Sequence, residues 1–211
     1  MGRYSISEGS MVRPLIAILA LVSICSAQVP DSNMFISQTA GIRVSKPSHW
    51  QFAGLGVVND NRDRIKFGDS AMQKAIKNAN TPLVAMLKYP EPHPEMNPSF
   101  QIGVKPLGAL KEQTEAQLWK LILPALARTF KDFKVVKEPK EIVLGGKKMS
   151  AIEISYVLEM QTGETYPCQS RMILWIKGEY LFQIGIGTAN PPKPGDLEDI
   201  EAILASIKLK D

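Results

Sequence analysis

From Lys140 onward, apolar residues recur at every second position. Ile152, Ile154, Tyr156, Leu158 and Met160 alternate with Glu153, Ser155 and Glu159. Successive side chains of a strand point to opposite faces, so this spacing predicts a strand with one buried face and one partly polar face. Turn signals at Gly145-Gly146, Thr162-Gly163 and Lys177-Gly178 divide the region into runs over 140–144, 148–160, 165–176 and 179–188. Glycine-bearing turns between alternating runs predict hairpins, and the runs together predict an antiparallel meander.

Other segments follow the helical period. Trp119, Ile122, Leu123, Leu126, Phe130 and Phe133 predict a helix over 114–133, opened by a capping box of Thr114 and Gln117. Pro124 removes a backbone donor inside it, at a cost of ~3 kcal/mol, and predicts a kink near Lys120. After Pro191-Pro192-Lys193-Pro194-Gly195, Asp196 is expected to cap a last helix with an apolar stripe of Leu197, Ile200, Ile203, Leu204 and Ile207. Its acidic start and its end at Lys208 and Lys210 complement the helix dipole.

The front half reads as short strands over 41–44, 50–52, 83–89 and 100–105, a polar turn over 59–64 and a short helix over 69–79. Prolines at 90, 92, 94 and 98 exclude regular structure between the later strands. An antiparallel sheet with amphipathic helices packed on it makes the fold class α+β. Ile173 and Trp175 have the opposite parity to Leu174 and Ile176, so that strand is apolar on both sides and helices are expected on both faces of the sheet.

The N-terminus has the pattern of an export signal. Met11-Val12-Arg13 leads into the apolar run 14–24, and Cys25-Ser26-Ala27 supplies small residues for cleavage. Residues 1–27 are therefore read as a cleaved signal peptide and 28–211 as one domain. The destination is the periplasm or the exterior. Polar residues 1–10, with Arg3 and Glu8, suggest that translation starts at Met11. Ile24 stands where a lipobox has a small residue, which argues against a lipid anchor at Cys25. Removal of the signal leaves Cys168 without a disulfide partner, so stability must come from packing. The net charge of +4 is dispersed, without the basic clustering and interleaved aromatics of a nucleic-acid surface. No second apolar run is long enough to span a membrane.

Little in the chain points to chemistry. Glu91, His93 and Glu95 make a candidate loop metal site, but the prolines flanking His93 restrict convergence and a rigid exposed loop is expected. His49 precedes Trp50 at a strand edge. Cys168 falls on a sheet face and reads as a buried, inert thiol. Glu153 and Glu159 share a face but lie about 20 Å apart along a strand, too far for an acid–base pair. Phosphate-loop, HExxH and GxSxG patterns are missing, so neither a catalytic centre nor a cofactor is expected. Trp50, Tyr166 and Trp175 form the candidate interaction surface.

Gly41-Ile42-Arg43-Val44, Lys46-Pro47 and Trp50, together with Tyr180-Leu181-Phe182-Gln183-Ile184 and the closing Ile203-Leu204-Ala205-Ser206-Ile207-Lys208-Leu209, resemble the PsbP/Mog1/DcrB-like superfamily. The resemblance implies an α/β/α sandwich without a catalytic centre. Members serve as photosystem II accessory subunits, as a binder of a small GTPase and as bacterial envelope proteins. No partner-binding residue carries over to a position here. The expected function is an exported, non-catalytic domain that binds a protein partner or assists complex assembly in the cell envelope. The alternative is a carrier of a small apolar ligand held between sheet and helix, in a cavity opened by the Pro124 kink. Intact-mass analysis of the exported protein should give a chain beginning at Gln28, and a lipidated species beginning at Cys25 would overturn that assignment.

Overall fold

The computed structural model describes residues 33–67 and 81–210. The signal peptide expected over 1–27 with Cys25, the translation start expected at Met11 and the helix expected over 69–79 lie outside the described residues.

The chain is α+β. A large antiparallel sheet contains β3 (Gln51–Phe52), β4 (Ile65–Lys66), β5 (Val84–Leu87), β6 (Ser99–Pro106), β7 (Lys131–Leu144), β8 (Lys147–Met160), β9 (Thr165–Lys177) and β10 (Tyr180–Ala189). Its spatial order is β3-β5-β6-β10-β9-β8-β4, and β7 also pairs with β8. The expected meander is thus β7 to β10, with its first strand beginning at Lys131 rather than Lys140. A second sheet joins β1 (Met34–Ser37), β2 (Ile42–Ser45) and β11 (Lys208–Leu209) in the order β1-β2-β11. The described α-helices are α1 (Leu55–Arg64), α2 (Glu115–Thr129) and α3 (Asp196–Ser206), and a short 3-10 helix spans Gly108–Leu110.

The two faces of the large sheet build separate cores. Ile173, Trp175, Phe182, Ile184 and Ile186 pack with Ile200, Ile203 and Leu204 of α3 and with Val44 of the small sheet. On the opposite face Ile152, Ile154, Leu174 and Leu181 pack with Leu118 and Trp119 of α2. Burying a large apolar side chain contributes about 1.5–3 kcal/mol, so each layer is held chiefly by a few such residues. Trp119 also donates its indole N–H to Ser150 Oγ at 2.9 Å, which satisfies the one polar atom it brings inside.

The capping box is present: Gln117 N–H donates to Thr114 Oγ1 at 3.3 Å, and Thr114 N–H donates to Gln117 Oε1 at 2.8 Å. The helix runs through Pro124 without interruption, but it ends at Thr129 rather than Phe133 because Phe130 turns to extended backbone and leads into β7. At α3 the cap is Gly195, at φ +82°, where a side chain would be strained. Asp196, expected as the cap, is instead the first helical residue. Leu197 leaves the expected stripe and stands 49% exposed, whereas Ile200, Ile203, Leu204 and Ile207 are buried. The polar stretch 59–64, expected as a turn, forms the second half of α1.

Strand β7 closes one border of the sheet with β8 as its partner. It carries Lys131, Lys134, Lys137 and Lys140, a proline at 139 and three register shifts against β8. Lysines, proline and bulges blunt a free strand edge.

Charges lock α3 to the sheet. Lys88 Nζ, just after β5, donates to Asp196 Oδ1 at 2.8 Å and lies 2.9 Å from Asp199 Oδ2. Asp199 Oδ2 also accepts from Trp50 Nε1 at 3.1 Å and lies 2.9 Å from His49 Nε2. Burial opposes the charge on Lys88, but the hydrogen bonds to Asp196 and Asp199 outweigh it and hold the amine above its ordinary value. Burial likewise opposes the Asp199 carboxylate, and its bonds from Lys88, His49 and Trp50 prevail, lowering it to about 2.

Asp199 is therefore a stronger acid folded than unfolded. Its contribution to stability is complete above pH ~4, its ordinary range, and is lost as pH falls through ~2, a difference of about 2 kcal/mol. Acid denaturation should show that limb in the wild type and lose it in Asp199→Asn. Lys88→Met should cost ~3–5 kcal/mol in urea unfolding at neutral pH, because two nearly buried carboxylates lose their cation. An unchanged urea midpoint would show that the network contributes nothing.

Candidate functional site

A cleft of about 350 Å³ opens at one end of the sheet, beneath α1. Its floor comes from Ala85, Leu87, Ser99, Gln101, Leu158 and Tyr166, its roof from Val57, Val58 and Asn61 of α1, and a side wall from Glu91, His93, Met96 and Asn97 of the proline loop. Register places Ala85, Gln101 and Gly185 in one cross-strand row and Leu87, Ser99 and Gly187 in the next. Further along the sheet these rows run into Ile152 and Ile154. The cleft therefore lies on the same sheet face as α2, in the part that α2 leaves uncovered.

The glycines of β10 let the floor side chains lie close to the sheet: a Cβ on Gly187 would stand 3.0 Å from Ser99 Oγ and 3.3 Å from Met96 Cε, and one on Gly185 would stand 3.2 Å from Gln101 Nε2. Ala85 is a small floor position. The roof stands off from the floor: α1 has no buried residue although Val57 and Val58 face inward. An apolar helix face normally buries itself on the layer beneath. Here the cleft occupies that layer.

The side wall is rigid. Buried Asn97 donates its amide to Tyr89 O at 2.9 Å and to Glu91 Oε1 at 2.8 Å, and accepts from Tyr89 N–H at 3.1 Å. Glu91 Oε2 accepts from His93 N–H at 2.9 Å, and the His93 ring stacks on Tyr89 at 4.6 Å between centroids. Glu95 pairs with Lys193, which lowers its carboxyl and raises the amine from their ordinary values. Tyr166 donates its hydroxyl to Pro94 O at 3.3 Å and so ties the loop to β9. At the inner end, Phe67 packs edge-on to Phe130, which lies 4.3 Å from the ring of Tyr156.

The sequence candidates separate. Trp50 and Trp175 are 2% and 7% exposed and belong to the core on the α3 side, so burial removes both from the expected interaction surface. Tyr166, half-buried, lines the cleft. His93 does not join Glu91 and Glu95 as a ligand set: its Nδ1 accepts from Glu95 N–H at 3.2 Å, Glu91 is spent on the loop and Glu95 on Lys193. Among the described residues, no three His, Cys, Asp or Glu side chains are placed to hold a metal ion. His49 belongs to the Asp199 network. Glu153 pairs with Lys137 and Arg171, and Glu159 with Lys66, so the two carboxylates answer to different cations. Pro124 is far from the cleft in chain position and does not line it, so the cavity expected from its kink is replaced by one beneath α1. The floor of that cavity places small Ala85 of β5 and Ser99 of β6 in neighbouring cross-strand rows, an alignment that no single strand of the sequence displays.

Cys168 is fully buried, donates its S–H to Tyr166 O at 3.1 Å and is pushed up to about 11 by burial. Tyr156 is pushed up to about 12, also by burial, with its hydroxyl 3.0 Å from Ser170 Oγ. Both groups are inert near neutrality. A thiol reagent at pH 8 should therefore label Cys168 at the rate of global unfolding and faster in denaturant; labelling within the mixing time of the native protein would contradict the burial.

No protein-family model matches the chain, and no curated protein matches it either. Among solved structures, the PsbP protein CyanoP of Synechocystis is similar at 9% identity and a TM-score of 0.47, over 87% of this chain and 96% of that one. LpqN of Mycobacterium tuberculosis, a protein involved in cell envelope biogenesis, is similar at 11% identity and a TM-score of 0.46, over 81% of this chain and 83% of that one. A Bacteroides thetaiotaomicron protein is similar at 14% identity and a TM-score of 0.45, over 85% of this chain; the chain spans about half of that protein's length, at 49%.

Proposed function

We propose that this chain is an exported, non-catalytic binding domain that takes a small apolar ligand into the cleft between α1 and the sheet. One observation carries the reading: α1 presents Val57 and Val58 to the sheet yet buries no residue, and the space beneath it is open. Sites for small molecules are concave, about 300–1,000 Å³ in volume, mostly apolar and furnished with a few fixed polar groups. The cleft has that size, an apolar lining from Leu158, Met160, Phe67 and Met96, and a polar wall fixed by Asn97 and Glu91. Its methionines adapt their shape to what they contact. Export is supported by the basic start, the apolar run and Cys25-Ser26-Ala27 of the N-terminus.

A second reading is favoured by Leu55, which stands 62% exposed at the start of α1 beside the cleft. In it, a protein partner of the cell envelope inserts an apolar side chain into the same space and covers Leu55.

Native mass spectrometry of the mature protein from its own envelope fraction tests both. A small-molecule adduct is expected, and a protein adduct instead would favour the second reading. Ala85→Leu extends a side chain from the floor into the cleft; it should reduce uptake of an apolar ligand at least tenfold while leaving Tm unchanged or higher, since it fills space. Amide exchange in α1 should slow on loading, because an element that buries little opens readily until something packs beneath it. Full uptake by Ala85→Leu would move the site elsewhere.

A further inference from the structure

We propose that the ligand of the cleft is an anionic amphiphile, an alkyl chain ending in a carboxylate, with Arg64 receiving the head group. This rests on the reading above and specifies its ligand class.

Arg64 occupies the last turn of α1 and lines the cleft, with its side chain 50% exposed. Its nearest carboxylate oxygen, Glu91 Oε2, is 3.9 Å away, beyond hydrogen-bond range. Glu91 cannot close that gap without loss, because Oε2 already accepts from His93 N–H and Oε1 from Asn97 Nδ2. Among the described residues the Arg64 guanidinium thus makes no hydrogen bond, beside a carboxylate whose two oxygens are committed to the loop.

The second carboxylate of the lining, Glu95, is committed to Lys193 and does not compete for Arg64. On the floor, the exposed Gln101 amide lies over Gly185 and makes no hydrogen bond among the described residues, which leaves a neutral donor for a head-group oxygen. Arginine presents a planar fork of donors that matches a carboxylate in two bonds, and such charge-assisted bonds are about twice as strong as neutral ones. Leu158, Met160, Phe67 and Met96 receive the tail. An amine head group would meet Arg64 with like charge, and an alcohol would leave the guanidinium unmatched.

Titration calorimetry of the mature protein with dodecanoate, dodecanol and dodecylamine at equal ionic strength tests the assignment. Dodecanoate should bind about tenfold or more tightly than dodecanol, with dodecylamine weakest. Arg64→Gln should bring dodecanoate level with dodecanol, and Arg64→Lys should keep part of the preference; the exposure of Arg64 lets both variants fold, as circular dichroism will verify. Equal affinity of the wild type for acid and alcohol, or a preference for the acid that survives Arg64→Gln, overturns the head-group assignment and leaves the cleft reading intact. Failure of the wild type to bind any of the three overturns both.

Discussion

Strand β9 is buried on both of its faces. Ile173 and Trp175 face one way and Leu174 the other, and none of them is more than 7% exposed. A strand without a solvent side requires an apolar layer above and below the sheet, and the remaining architecture answers that requirement. On one face α3 and the small sheet supply a continuous cover, with Ile200, Ile203, Leu204 and Val44 all buried. On the other, α2 covers the middle of β8, β9 and β10 with Leu118 and Trp119 and stops short of the end where Leu158 and Tyr166 lie. That end falls to α1, which is too polar and too loosely seated to cover it. The cleft is what remains of a layer that one helix only partly fills.

The two covers are held by different physics. The α3 side combines dense packing with a buried cation shared between two carboxylates, and that arrangement fixes the position of the helix start to within hydrogen-bond tolerance. On the cleft side, the proline loop is pinned by Asn97 and Tyr166, whereas α1 buries no residue. One wall of the cleft is therefore rigid and the other compliant. Rigid polar groups set the orientation of what enters, and a compliant roof admits variation in its shape.

Most of the frame was legible in the sequence, because its elements follow a single period over many residues. The meander, the capping box of α2 and the apolar stripe of α3 all appear where period and turn chemistry agree. The failures share a cause. Residues 59–64 look like a turn because a helix that buries nothing carries no periodic apolar signal, and β1 and β11 are too short to show one. Trp50 and Trp175 read as surface candidates because aromatic character alone does not distinguish an anchor from a contact; tertiary burial places both in the core. The cleft floor combines small Ala85 and Ser99 with side chains laid over Gly185 and Gly187, and no single strand displays that pattern until cross-strand register aligns it.

Strand β7 pairs with β8 on one side, and among the described residues its outer edge has no strand partner; such an edge is the template on which sheets of separate molecules join. Two copies meeting there would bring together strands that each carry four lysines among three acidic residues, with Pro139 and the register shifts preventing a continuous ladder. Growth of a continuous sheet across this edge is therefore disfavoured.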